Sequence, residues 1–335
     1  MKTIYSRHQT GQRAIASLAF AAFLLMGTSA FAEKITLTAG SPGGGYFKAA
    51  AALAEYIKAE ISGAETTVIP GGGWANIDRL ESGLADVAVL TNPIVTMAYK
   101  GQNPTGKKYD FRMLASFRGP SVAQAAIVAD KGITSWDDLR EKKFPIRITM
   151  LEPAQIVTPI AFALMAEYGI TKEKIKSWGG KVIHTSQNDA IRMIHDGLAD
   201  MWFNGGAFYP HHKYIQFGTK KKFRLLPFSK DAAQKVADKF GIEVQQVPAG
   251  IYNENNGSNE AYWSPSLVVV FGVRTGLSDD LVYKMAKALA KNKEAFWKVN
   301  PHHKFYKPEV AWKNTGSAPL HPGAAKFYKE MGYMK

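Results

Sequence analysis

Cysteine is missing from all 335 residues, which removes disulfides, thiol nucleophiles, thiolate metal sites and thiol redox chemistry together. Acidic residues are scarce, 28 Asp and Glu against 42 Lys and Arg, for a formal charge of +14. Long apolar runs are also missing: past residue 32 nothing approaches the about 20 residues needed to span a bilayer. The sequence holds no GxSxG, no HExxH, no Walker A lysine and no GxGxxG, so the common hydrolase, metalloprotease, phosphate-loop and dinucleotide signatures are excluded. Histidines offer no metal set. His211-His212 and His302-His303 are adjacent pairs that diverge on a helix or strand, and His184 and His195 lack acidic neighbours at chelating spacing. No catalytic residue, cofactor or metal is expected.

What is present begins with a leader. Lys2, Arg7 and Arg13 precede an apolar run, Ala14 to Met26, and the small-x-small sequence Ala30-Phe31-Ala32. This pattern predicts a signal peptide over residues 1–32, cleaved after Ala32, and a periplasmic mature chain. Without the three leader cations, 39 Lys and Arg face 28 Asp and Glu, or +11. The basic residues are scattered, with one run at Lys220-Lys221-Lys222, and export argues against nucleic acid as the partner. A chain of about 300 residues buries two cores without staples.

The mature chain alternates short β-branched strands with longer amphipathic segments. ITLTA (35–39), TTVIP (66–70) and VAVLT (87–91) are separated by helices expected near 47–60 and 76–82, and the pattern resumes at PIRITM (145–150), VIHT (182–185), MWF (201–203) and FRLLPF (223–228). Such alternation predicts α/β architecture with mostly parallel sheets flanked by helices. Gly-Leu-Ala-Asp occurs at 83–86 and again at 197–200, each time after a helix and before an apolar strand. The repeat reads as equivalent turns in two similarly built lobes, with Asp86 and Asp200 structural. AQAAIVA (123–129) and SLVVVFGV (266–273) are crossing strands, giving one lobe from 33–122 plus 267–335 and a second from 123–266. Ligands favour clefts between domains.

Two glycine loops carry the sharpest chemistry. Gly40-Ser41-Pro42-Gly43-Gly44-Gly45-Tyr46 and Gly71-Gly72-Gly73-Trp74 each join a strand to a helix. Their bare amides and the free N–H groups of the helix start would face an oxyanion, carboxylate or phosphate; a tight structural turn is the alternative. Asn92 and Asn204 stand at strand ends, where an amide donates to a ligand or caps a turn. Tyr46 and Trp74 wall a site or are ordinary half-buried aromatics. Arg118 clamps an anion or lies at the surface.

Six stretches in order then carry a resemblance: GSPGGGYFKAAAALAEYI, VIPGGGWANIDRLESGLADVAVLTN, GITSWDDLREKK, IRMIHDGLADMWFNGG, VPAGIY and LHPGAAKFYKEMG. Together they resemble the TAXI subfamily of TRAP (tripartite ATP-independent periplasmic) transporter receptors. The resemblance implies a two-lobed type II periplasmic-binding-protein fold with no enzymatic activity. It implies a small-molecule solute, an organic acid or amino acid, delivered to integral membrane permease subunits driven by an ion gradient. Ligand amides then fall on Gly43, Gly44, Gly45, Tyr46, Gly72 and Gly73, and polar contacts near Thr91 and Asn92. A further set follows PIRITM, where this chain departs from the family's small hydroxyls and carries Glu152, Gln155 and Thr158. Glu152 would oppose an acid and Lys48 would suit one; a carboxylate remains the first expectation. The alternatives are an ABC-type receptor of the same fold and an interaction protein with an empty cleft.

Overall fold

A computed structural model describes residues 33–40, 42–103, 105–153, 155–252 and 260–335. The leader expected over 1–32 and Ser41 of the first glycine loop lie outside the described residues. Ten strands form one sheet: β1 (Lys34–Thr38), β2 (Glu65–Ile69), β3 (Val87–Thr91), β4 (Phe111–Val128), β5 (Arg147–Met150), β6 (Lys181–His184), β7 (Met201–Ala207), β8 (Phe223–Leu225), β9 (Glu243–Val247) and β10 (Tyr262–Arg274). Their order is β2-β1-β3-β10-β4-β7-β5-β6, with β8 beside β4 and β9 beside β10. The order is palindromic. In each half, three parallel strands meet one long antiparallel strand, β10 against β3 and β4 against β7, and the two long strands pair with each other.

The helices that cover the first half are α1 (Gly45–Glu60), α2 (Gly73–Glu81) and α3 (Asn92–Lys100). Next come α4 (Trp136–Glu141), α5 (Val157–Glu167), α6 (Lys172–Ser177), α7 (Gln187–His195), α8 (His212–Gly218) and α9 (Lys230–Phe240), and then α10 (Asp279–Lys291), α11 (Lys293–Val299) and α12 (Pro322–Glu330). Among the described residues, no helix is long and apolar enough to cross a membrane. The helix starts differ from expectation in one way: Gly45 and Gly73 are already helical. The first turn tolerates glycine because its N–H groups have no intrahelical acceptor to lose. The crossing strands are longer than their β-branched stretches, because pairing with β10 satisfies the backbone of Phe111–Arg118 and pairing with β9 that of Tyr262–Pro265, whatever their side chains prefer.

Strand periodicity sorts the core. In VAVLT, Val87 and Val89 face α1 and α10 with Leu37, Leu53, Phe271 and Met285, while Ala88 and Leu90 face α2 and α3 with Ile77, Leu80 and Val95. Successive strand residues point to opposite faces, so one strand feeds two clusters. The largest cluster spans residues 122–267 and includes Trp136, Ile148, Leu164, Ile191, Trp202 and Phe217.

The repeated Gly-Leu-Ala-Asp turns do the same work in the two halves. Asp86 accepts from Thr36 N at 2.8 Å and from Arg274 Nε at 2.6 Å. Asp200 accepts from Arg147 N at 3.0 Å and from Arg147 Nε and Nη2 at 2.8 and 2.7 Å. Each carboxylate thus ties the start of one strand to its parallel neighbour. Leu84 and Leu198, one in each turn, are both exposed.

Candidate functional site

The site is built where β1, β2, β3 and β7 end and the long strands cross. A cleft of about 600 Å³ opens there, within the range usual for small-molecule pockets. One wall is made of Gly40, Tyr46, Gly71, Gly72, Gly73 and Trp74, with Thr91 and Ile94 beyond them. The facing wall is Gln155, Ile156, Val157 and Gly206, and the floor is Val89, Leu90, Ser121, Leu267 and Val269.

Asn76 shapes the first wall. It is fully buried, and its Oδ1 accepts from Gly72 N at 2.9 Å and from Thr38 Oγ1 at 2.8 Å. Its Nδ2 donates to Ala39 O at 3.0 Å and Val89 O at 2.8 Å. One side chain therefore fixes the ends of β1 and β3 and the second glycine loop. Arg79 closes the arrangement from behind, with Nη1 donating to Thr38 Oγ1 at 2.7 Å and to Pro70 O. The glycines answer to this packing. A Cβ on Gly71 would stand 2.1 Å from Asn76 Oδ1, and Gly72 adopts φ 147°, ψ 152°, a region open in practice only to glycine.

The helix starts differ according to where they point. Those of α1, α2, α3 and α5 border the cleft, with Gly44, Gly72, Thr91 and Ile156 as N-caps, and none has a side-chain cap hydrogen bond. Away from the cleft, α4, α6, α7, α8, α9, α10 and α12 are each capped by a side chain, from Ser135, Thr171, Ser186, His211, Ser229, Ser278 and His321. The other uncapped start, α11, follows α10 directly. A cap satisfies one of the free N–H groups of the first turn and is worth about 1 kcal/mol. Four starts at one cleft forgo it, and each carries the positive end of a helix dipole. Thr91 adds a second feature: it is 7% exposed and its hydroxyl has no hydrogen-bond partner.

Of the residues expected at the site, Tyr46, Gly72, Gly73, Trp74, Thr91 and Gln155 line the cleft together. Gly43, Gly44 and Gly45 lie at the α1 start outside the lining. Three polar side chains are spent on structure. Asn92 Oδ1 accepts from Val268 N at 2.9 Å, Asn204 Oδ1 from Gly206 N at 3.0 Å, and Thr158 Oγ1 donates to Leu151 O at 3.0 Å. Glu152 and Lys48 are exposed and outside the lining, so neither the repulsion nor the attraction expected of them acts from the cleft wall. Arg118 pairs through its backbone with Val269. Sequence reasoning missed Asn76, Ser121, Gly206 and the apolar lining. Asn76 leaves one trace, a polar residue beside Ile77 on the stripe that buries Leu80. Gly206 leaves another, as the second glycine of an Asn-Gly-Gly strand end.

No charged group among the described residues lines the cleft, and no set of three His, Asp or Glu among them is placed to hold a metal. The shifted groups lie elsewhere. At Asp200, burial alone would raise the carboxyl, but hydrogen bonds from Arg147 hold it below the usual range. Burial pushes Tyr214 and Tyr262 well up. The described lining therefore offers amides, hydroxyls and hydrocarbon.

A family model described as the NMT1-like family matches residues 37–332. Among solved structures, a TctC solute-binding protein from Polaromonas is 16% identical, with 81% of this chain and 88% of that one covered at a TM-score of 0.50. A putative periplasmic sulfonate-binding protein, SsuA, of a sulfonate ABC transporter from Methylobacillus flagellatus is 12% identical, covering 90% and 88%, also at 0.50. A Xanthomonas citri protein bound to chloride is 13% identical, covering 89% and 95%, at 0.52. At these identities the likeness is one of fold, the two-lobed fold of periplasmic binding proteins.

Proposed function

The chain belongs to the NMT1-like family, and from that premise we propose that it is a periplasmic solute receptor, not an enzyme, whose two lobes close on a small carboxylate. The observation that carries this reading is the meeting of four uncapped helix starts at one cleft. Each dipole favours an anion by about 0.3–1 kcal/mol, and up to ~2 when partly buried. Each charge-assisted hydrogen bond adds roughly 1.5–3 kcal/mol. The amides of Gly73 and Trp74 at the α2 start, with the Thr91 hydroxyl, hold the carboxylate. Gln155 closes from the facing wall. The lobes divide as residues 33–122 plus 267–335 and residues 123–266, with β4 and β10 as the crossings.

The order of motifs from the first glycine loop to the closing helix supports a TAXI-type receptor that hands its solute to TRAP permease subunits. Permeation would then depend on an ion gradient. The second reading, an ABC-type receptor, is favoured by the fold shared with the Methylobacillus protein. Uptake in vesicles carrying the partner permease separates the two: collapse of the sodium gradient abolishes TRAP uptake, and ATP removal abolishes ABC uptake.

The receptor reading is tested by thermal shift of the ligand-stripped chain against organic acids, amino acids, sugars and phosphates. A solute at a hundredfold excess over its Kd stabilises by about 2.7 kcal/mol. A shift of several degrees with acids is expected. No shift with any compound overturns the reading in favour of an interaction protein.

A further inference from the structure

Charge is scarce in the cleft. Among the described lining residues there is no Asp, Glu, Lys, Arg or His. Polar capacity lies at the α2 start, where the Gly73 and Trp74 amides follow Gly72, and at the Thr91 hydroxyl and Ser121, with Gln155 across the cleft. Most of the remaining lining is hydrocarbon, from Trp74, Ile94, Ile156, Leu267 and Val269. The buried, unpartnered Thr91 hydroxyl at the α3 start marks where a ligand atom completes the hydrogen bonding, since a buried polar group without a partner is costly.

We propose that the ligand is a monoanion with an apolar body, one oxyanion group on the Gly73 and Trp74 amides at the α2 start and on the Thr91 hydroxyl, and an aromatic or branched hydrocarbon against Trp74, Ile94, Ile156, Leu267 and Val269. This rests on the receptor reading and narrows it. A zwitterionic amino acid would bring an ammonium group to a wall with no carboxylate. A dicarboxylate would bring its second charge to Ile156, Leu267 and Val269 with one amide, Gln155, and no cation among the described lining residues, where an ion without a charged partner is disfavoured. A short acid such as acetate would leave the hydrocarbon wall wet and lose the burial of apolar area. The amides recognise carboxylate and sulfonate alike, so the head group is settled by comparison.

The test is calorimetric titration of the refolded, ligand-free chain with phenylacetate, 4-methylpentanoate, phenylmethanesulfonate, phenylacetamide, acetate, glutarate and phenylalanine. At least one of the two apolar monocarboxylates or the sulfonate is expected to bind at least tenfold tighter than glutarate, phenylalanine and acetate, and the neutral amide not at all. The ratio of carboxylate to sulfonate identifies the head group. Thr91→Val is expected to weaken the apolar monoanion about tenfold. Trp74→Ala is expected to do the same; circular dichroism and melting confirm that each variant is folded. If glutarate or phenylalanine binds as tightly as the monoanions, the proposal fails and the receptor reading stands. If the series is silent while some other compound class binds, the proposal again fails alone. If nothing binds, both fall.

Discussion

At one end of the two half-sheets the chain repeats itself, and at the other it does not. The Gly-Leu-Ala-Asp turns at 83–86 and 197–200 lie at the starts of β3 and β7, and each aspartate accepts a backbone N–H from the neighbouring parallel strand. The loops after β2 and β6 hold equivalent places at the strands' far ends, yet they diverge. After β2, Gly72 adopts a glycine-only conformation, lines the cleft and leaves α2 without a side-chain cap. After β6, Ser186 caps α7 by accepting from Asp189 N at 3.2 Å, and it does not line the cleft. The strand starts obey the needs of folding, which are the same in both halves. The strand ends have been divided, with free amides gathered in the first half and ordinary capping kept in the second. Among the described residues, α5 is the second half's one uncapped start at the cleft.

That contrast is open to direct attack. The largest effect is expected at the repeated turn: Asp200→Ala strands the half-buried Arg147 and should cost about 3 kcal/mol in urea unfolding. Its pH signature has a definite sign. The folded Asp200 carboxyl is held below its ordinary range, so its contribution is fully present above the unfolded value of about 3.9. That contribution is lost as pH falls through the folded value. The difference between the native chain and Asp200→Asn should therefore shrink below about pH 4; a difference constant with pH would show that the Arg147 pairing does not hold the proton off.

Next in size, Asn76→Ala removes the partner of Gly72 N, Thr38 Oγ1, Ala39 O and Val89 O. It should cost about 2–3 kcal/mol and abolish ligand-induced thermal stabilisation as well. Gly72→Ala forces a side chain into φ 147° and should cost about 1–3 kcal/mol, again with loss of ligand response. At the matching loop, Ser186→Ala should cost about 1 kcal/mol and leave the ligand response intact; a change in ligand affinity there would dissolve the distinction between the two loops. The smallest effect is expected at the exposed leucines. Leu84→Ser and Leu198→Ser should each change stability by less than about 0.5 kcal/mol, and a large loss would mean that the turns pack against something.

Much of the fold was legible because strand and helix periods are local. VAVLT gave β3 residue for residue, and every other expected strand was found, with its ends moved. The two glycine loops were legible as a site because glycine runs between strand and helix have few other uses. Asn92, Asn204 and Thr158 were legible as polar residues at the right ends of the right elements, but sequence could not tell a side chain facing a ligand from one satisfying Val268, Gly206 or Leu151. The two are chemically identical donors and acceptors, and the partner decides.

The sequence by itself determined the alternation of strands and helices, the pair of equivalent turns and the glycine-bearing strand ends, because each depends on neighbours within a few residues. Only the tertiary structure decided that four uncapped helix starts would meet, that Asn76 would hold two strand ends and a glycine loop together, and that Ile94, Ile156, Leu267 and Val269 would line one cleft. Those residues lie up to 175 positions apart. A cleft is made by the packing of distant segments, and its charge and hydrophobicity belong to no one segment of the chain.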